Sequence, residues 1–206
     1  MLTIDALPKY CITLPEKPER TEAAIKHFSE GGLENVTMVS GIHGEGFGLD
    51  TKFLYEVDNP GSGFKIGPSV VGIWLSHWML WLAATLMEHE HVMILEDDAQ
   101  LLSNWKKRTA QALEDVPPDF DWLFIGSCCA GSAKKTLVKG EVWDARYPVC
   151  FQAYIISKAG ARKLVETQRK CYAPIDVSAV FHSFKAMRVF TLFPMAINQF
   201  NTEIPP

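Results

Sequence analysis

Cysteine is scarce in this chain, and what there is lacks the spacing that chemistry needs. The five cysteines, Cys11, Cys128, Cys129, Cys150 and Cys171, are odd in number and form no C-x-x-C pair. That argues against a zinc site and a disulfide framework, and for a reducing, cytoplasmic setting. The adjacent Cys128 and Cys129 read as packed thiols without a role. Positive charge is not in excess either: 20 Lys and Arg face 24 Asp and Glu, a net charge of −4. Nothing here would neutralise a phosphate backbone, so nucleic acid is not an expected partner. The opening Met1-Leu2-Thr3-Ile4-Asp5 has no basic or long apolar region, so no secretory signal is expected. Repeats and low-complexity tracts are absent. One run, Ile66 to Met87, goes 22 residues without Asp, Glu, Lys or Arg, long enough to span a bilayer. It contains Gly67-Pro68, Ser76 and His77, and its tryptophans (Trp74, Trp78, Trp81) gather towards the middle instead of two interfaces. A core helix is expected and no spanning segment, with peripheral membrane contact left open.

What is present describes one globular domain over residues 1–206, 48% hydrophobic and 21% charged. Strand patterns at Lys9–Leu14, Asn35–Ser40, His91–Glu96, Asp121–Gly126, Phe151–Ser157 and Arg188–Phe193 alternate with helical ones. Helices are expected from Pro18, over the Trp-rich run with Ser69 as cap, from Ser103 to Asp115, from Lys158, and from Ile175. Gly41–Gly67 reads as a long loop with a short helix near Lys52–Val57, and Ser127–Val142 as a mobile loop. Strands alternating with helices mean an α/β fold, a Rossmann-like, mostly parallel sheet sandwiched by helices.

The most informative stretch is His91-Val92-Met93-Ile94-Leu95-Glu96-Asp97-Asp98-Ala99. Four apolar residues read as a strand buried on both faces. Three carboxylates then arrive together at its carboxyl end, where open α/β sheets bind ligands. A hard divalent cation would offset their repulsion, and Mn²⁺ or Mg²⁺ would leave positions free for phosphate oxygens. A solvated acidic turn is the rival reading.

Taken in order, several pieces resemble glycosyltransferase family 25. They are Ile12-Thr13-Leu14 with Pro18-Glu19-Arg20, Ser40-Gly41-Ile42-His43-Gly44, Gly72-Ile73-Trp74-Leu75-Ser76-His77 and Leu95-Glu96-Asp97-Asp98. Ala153 to Ala161, Pro174-Ile175-Asp176 and Gln199 continue the series. That family includes bacterial lipopolysaccharide galactosyl- and glucosyltransferases and the collagen hydroxylysine galactosyltransferases. The resemblance implies a GT-A type fold, a UDP-sugar donor, a divalent metal, inversion at the anomeric carbon, and a glycan or hydroxylated acceptor. Ile73 stands where the family commonly has Cys, and Trp74 is bulkier than usual there.

Under that resemblance Asp98 is the direct metal ligand, and Glu96 and Asp97 complete a D-x-D-like motif, with Glu96 near the ribose or base and also a candidate ligand. Arg20 pairs with phosphate, or else with Glu16 or Glu22 on its own helix. Thr13 and Leu14 border the uracil pocket, and Gly41 and Gly44 let backbone approach the nucleotide. Ser76 and His77, polar in an apolar helix, bond a phosphate or sugar hydroxyl, or are satisfied core residues. Asp176 is the candidate base for the acceptor hydroxyl, with helix capping as its rival. Asp121 precedes its strand and is a poorer base. The acceptor side is expected from Ser127–Val142 and Glu45–Lys65. Two other readings stand beside a hexosyltransferase: a metal-dependent phosphoesterase, although His43, His89, His91 and His182 lack ligand spacing, and a non-catalytic sugar- or partner-binding relative.

Overall fold

A computed structural model of the chain describes residues 2–47, 66–128 and 134–199. Ten strands in this described part form one sheet: β1 Lys9–Thr13, β2 Val36–Ser40, β3 His91–Glu96, β4 Ala99–Leu101, β5 Trp122–Gly126, β6 Lys134–Lys139, β7 Val142–Ala145, β8 Ala153–Ser157, β9 Val189–Leu192 and β10 Ile197–Gln199. The main path runs β2-β1-β3-β8-β5-β9-β7-β6, with β10 bridging β5 and β4. In direction β1, β2, β3, β5, β6, β9 and β10 agree, whereas β4, β7 and β8 oppose them. The sheet is mostly parallel, as expected, with β8 as the reversed strand at its centre.

Five α-helices among the described residues cover both faces: α1 Pro18–Glu30, α2 Pro68–Leu86, α3 Trp105–Asp115, α4 Lys158–Thr167 and α5 Ile175–His182. The alternation of side chains along each strand feeds two cores. Met93 and Leu95 of β3 join Ala24 and Phe28 of α1 and Trp105 and Leu113 of α3. Val92 and Ile94 join Trp74 and Trp81 of α2, Leu164 of α4 and Ala179 of α5. This two-sided burial is why β3, β5 and β8 read as unbroken apolar runs. In α1 only Ala24 and Phe28 are buried, and Ile25 stays exposed. Helix α2 is long and apolar enough to cross a bilayer, yet it packs into this domain through Val71, Trp74, His77, Leu80, Trp81 and Ala84.

Several expectations need correction. Helix α2 starts at Pro68 with Gly67 as its cap, so Ser69 lies inside the first turn. Proline fits that first position because its missing N–H would have no intrahelical partner there. Helix α3 starts at Trp105 after Asn104 in a left-handed conformation (φ 63°), not at a Ser103 cap. Asn tolerates that conformation, and the Trp105 indole anchors the turn by donating to the Gly31 carbonyl at 2.8 Å.

The supposed loop Ser127–Val142 contains β6, and with β7 it makes a hairpin that docks on β9 through Val142 opposite Leu192. Lysine-rich flanks hid its short Thr136-Leu137-Val138 strand core. Cys128 and Cys150 form a disulfide across 22 residues, so the argument for a reducing compartment loses its premise. Sequence spacing could not foresee it, because the hairpin between them brings the two ends together. The short helix expected near Lys52–Val57 lies outside the described residues.

Candidate functional site

Parallel pairing of β1 with both β2 and β3 puts three carboxyl ends side by side. Ile12 lies opposite Glu96 and Thr13 opposite Ser40. There the chain leaves the sheet as Thr13-Leu14, Gly41-Ile42 and Glu96-Asp97-Asp98, and a cleft of about 250 Å³ opens among them. Its walls include Thr13, Leu14, Arg20, Ser76, His77, Glu96, Asp97 and Asp98, the residues expected to take the donor, together with Gln199. A second cavity of about 210 Å³ shares Ile73, Glu96 and Gln199 with the first and is closed by Val70, Cys150, Phe151, Pro174, Ile175 and Asp176. The two are halves of one cleft, with Glu96 at their junction.

Three carboxylates face one guanidinium in the first half. Arg20 is hydrogen-bonded to Asp97 and lies 3.8 Å from Asp98 Oδ2, so its partners are the acidic turn and not Glu16 or Glu22. Burial pushes the Asp97 carboxyl above the ordinary aspartate range although Arg20 pulls it down. Burial raises Asp98 likewise, opposed by a hydrogen bond from Gln199. Asp98 Oδ1 is buried with no hydrogen-bond partner. A buried carboxylate oxygen of this kind is where a cation or donor belongs. Among the described residues no three His, Cys, Asp or Glu side chains are set to hold a metal on their own. Mg²⁺-like ions, however, need only one or two carboxylates when a diphosphate fills the remaining positions. Asp98 with Glu96 fits that donor set.

His77 is 1% exposed, and both ring nitrogens have protein partners. Nδ1 lies 2.9 Å from the Tyr154 hydroxyl and Nε2 3.1 Å from Glu96 Oε1. The Trp81 indole N–H donates to the same Tyr154 oxygen at 2.8 Å. An indole can only donate, so the tyrosine hydrogen turns to Nδ1, which assigns the proton of a neutral His77 to Nε2 and aims it at Glu96. His77 thus lines the cleft and holds Glu96, with Tyr154 on its other nitrogen. Ser76 Oγ accepts the Ile42 N–H at 2.8 Å and donates to the Gly72 carbonyl at 2.7 Å, pinning one cleft wall to α2.

Neither glycine lines the cleft. A Cβ on Gly41 would meet Ile12 and Thr13, and one on Gly44 would fall 1.7 Å from the Pro68 carbonyl oxygen. Both allow close packing of the chain against the residues that form the wall.

Asp176, in the first turn of α5, accepts the Cys150 N–H at 2.8 Å on Oδ2 and the Val177 N–H at 2.8 Å on Oδ1. The N-cap position of α5 is Pro174, so Asp176 holds backbone from inside the first turn instead of capping the helix, and it also lines the second half of the cleft. Asp121 sits at the opposite sheet edge, bound to Lys163 and the Arg188 N–H. Among the described residues the second half is built from α2, the approach to β8 and the start of α5; residues 129–133 of Ser127–Val142 and 48–65 of Glu45–Lys65 lie outside the described part. Sequence reasoning passed over Gln152, Tyr154 and Trp81. For Gln152 and Tyr154 the one signal is polarity inside β8 and its approach, an otherwise apolar stretch; Trp81 lies in α2 and carries no such signal.

The sequence model of the family described as "Glycosyltransferase family 25 (LPS biosynthesis protein)" matches residues 6–140. The human protein named "Inactive glycosyltransferase 25 family member 3" is 27% identical over 172 residues, covering 77% of this chain and 28% of that protein. Human "Procollagen galactosyltransferase 2" is 23% identical over 174 residues, covering 76% of this chain and 27% of its own length. The chain thus spans under a third of the curated relatives it matches. A crystal structure of "a glycosyltransferase involved in the glycosylation of the major capsid of PBCV-1" superposes with a TM-score of 0.54 at 9% identity, covering 95% of this chain and 94% of that one, a likeness of fold. With the family's sequence model matching residues 6–140, well over half of the 206, and enclosing the acidic turn, Arg20 and His77, the chain belongs to glycosyltransferase family 25.

Proposed function

We propose that this chain is a hexosyltransferase that moves galactose or glucose from a UDP-sugar to a hydroxyl of a glycan or protein acceptor, with inversion. The observation that carries this reading is the buried, unpartnered Oδ1 of Asp98 at the carboxyl end of β3, in a cleft where three carboxylates face one guanidinium. Such a site would repel a diphosphate unless a dication came with it. Asp98, with Glu96, would hold Mn²⁺ or Mg²⁺, which offsets the charge on the departing UDP as a Lewis acid. Arg20 adds a permanent positive charge at the diphosphate, and Thr13 and Leu14 border the nucleoside. The acceptor enters the second half of the cleft. Asp176 takes its hydroxyl proton while the oxygen attacks the anomeric carbon in line; the bond from that carbon to the UDP oxygen breaks, and UDP leaves with the electron pair.

The relatives named inactive favour a second reading, a donor-binding domain that performs no transfer. One pair of measurements separates the two. Calorimetric titration of UDP with and without Mn²⁺ tests the donor half, and UDP release from UDP-galactose and UDP-glucose with hydroxyl acceptors tests the chemistry. Mn²⁺-dependent binding with UDP release establishes the transferase. Binding without release leaves the donor-binding domain, and no binding in any condition overturns both.

A further inference from the structure

Gln152 from the buried side and Gln199 from the cleft wall grip the acidic turn, and neither takes part in the transfer just described. Gln152 is fully buried. Its backbone carbonyl accepts the Glu96 N–H at 3.0 Å, and its side-chain Nε2 donates to Gln199 Oε1 at 3.3 Å. Gln199 Nε2 in turn donates to Asp98 Oδ2 at 2.9 Å. The pairing of β10 with β4 sets Gln199 opposite Ala99, so this amide reaches the aspartate from the neighbouring strand.

An amide accepts only at oxygen and donates only at nitrogen, so the chain has one direction, from Gln152 through Gln199 to Asp98. It satisfies Oδ2 and leaves Oδ1 without a partner. Arg20 is the competitor: it holds Asp97 and stands 3.8 Å from Asp98 Oδ2, beyond hydrogen-bond reach. Without the amide, the Asp98 carboxylate would turn further to the guanidinium and tighten this loose ion pair into a direct hydrogen bond.

We infer that Gln152 and Gln199 are positioning residues that keep Asp98 off Arg20, and so set how strongly the cleft takes a nucleoside diphosphate together with a divalent cation. This rests on the donor-site reading above, and the test keeps the two apart.

Calorimetry on the whole chain would compare Mn²⁺ plus UDP with uridine alone, for the native chain, Gln199→Leu, Gln152→Leu and Asp98→Asn. In Gln199→Leu, Mn²⁺-dependent UDP affinity should drop roughly tenfold, the worth of one hydrogen bond to a charged group, with uridine affinity unchanged. Gln152→Leu should shift the same way by less. A general structural role would weaken uridine and UDP alike, and that result overturns the inference. So does native affinity in both glutamine variants while Asp98→Asn loses binding, which leaves the donor site standing. Native Mn²⁺-dependent affinity in Asp98→Asn instead overturns the donor-site reading itself.

Discussion

Asp98 is an acid placed where burial opposes its ionisation, and that has a measurable sign. Its folded-state pKa is raised, so the native chain binds this proton more tightly than the unfolded chain does. Stability therefore falls as pH rises from the ordinary aspartate value, about 3.9, through the raised one, and the loss persists at neutral pH. Asp98→Asn should accordingly hold or raise the thermal midpoint at pH 7 while abolishing Mn²⁺-dependent UDP binding. The stability difference should close as the pH approaches about 4, as read by scanning calorimetry across that range. At Asp176 the expectation is the reverse division of labour. Asp176→Asn should leave UDP affinity intact and slow transfer by roughly 10²–10⁴-fold, the usual worth of a general base, as measured by UDP release. At this scale the sequence was legible where the chemistry is contiguous, as in Glu96-Asp97-Asp98. It was silent where partners are far apart: Gln199 lies 101 residues from the Asp98 it bonds, and Tyr154 lies 77 from His77. Periodicity cannot report such contacts.

Among the elements, α2 shows what local pattern does and does not encode. Its apolar length with an embedded Ser76-His77 identified a core helix with a polar task, and the structure gives both residues protein partners. What the pattern missed is how closely this helix approaches the loop after β2. A Cβ on Gly72 would lie 2.3 Å from the Ile42 carbonyl oxygen and 2.7 Å from the Gly44 nitrogen. Backbone atoms on both sides leave no flexible side chain to yield. Gly72→Ala should therefore destabilise by about 1–3 kcal/mol, as overpacking does. A lower urea midpoint with an unchanged slope would show it, and native stability would contradict the packing described. The β6–β7 hairpin was illegible for a different reason: its value comes from pairing with β9, a partner nearly fifty residues further along, and not from its own composition.

For the whole molecule, fold class was readable because α/β order is written in alternating periodicities, whereas the reversal of β8 and the Cys128–Cys150 link depend on tertiary assembly. The disulfide closes a loop of 22 residues, and the chain-entropy argument values such closure at about 3 kcal/mol. Reduction with dithiothreitol, or Cys128→Ser with Cys150→Ser, should lower the denaturation midpoint accordingly. Cys150 also supplies the N–H that holds Asp176, so transfer should suffer more than UDP binding does. Equal losses in both would mean that the link serves stability alone.

The central place of β8 bears also on how the chain is made. β3 lies between β1 and β8, so a ribosome delivers it with one neighbour already synthesised and the other some sixty residues behind. Until β8 emerges, an apolar strand carrying Val92, Met93, Ile94 and Leu95 has an open edge, the kind of surface that recruits chaperones and seeds aggregation. The acidic turn at its tip, with Glu88 and Glu90 before the strand, then flanks that edge with negative charge. The carboxylates that would later serve the donor thus begin as a gatekeeper for the nascent strand.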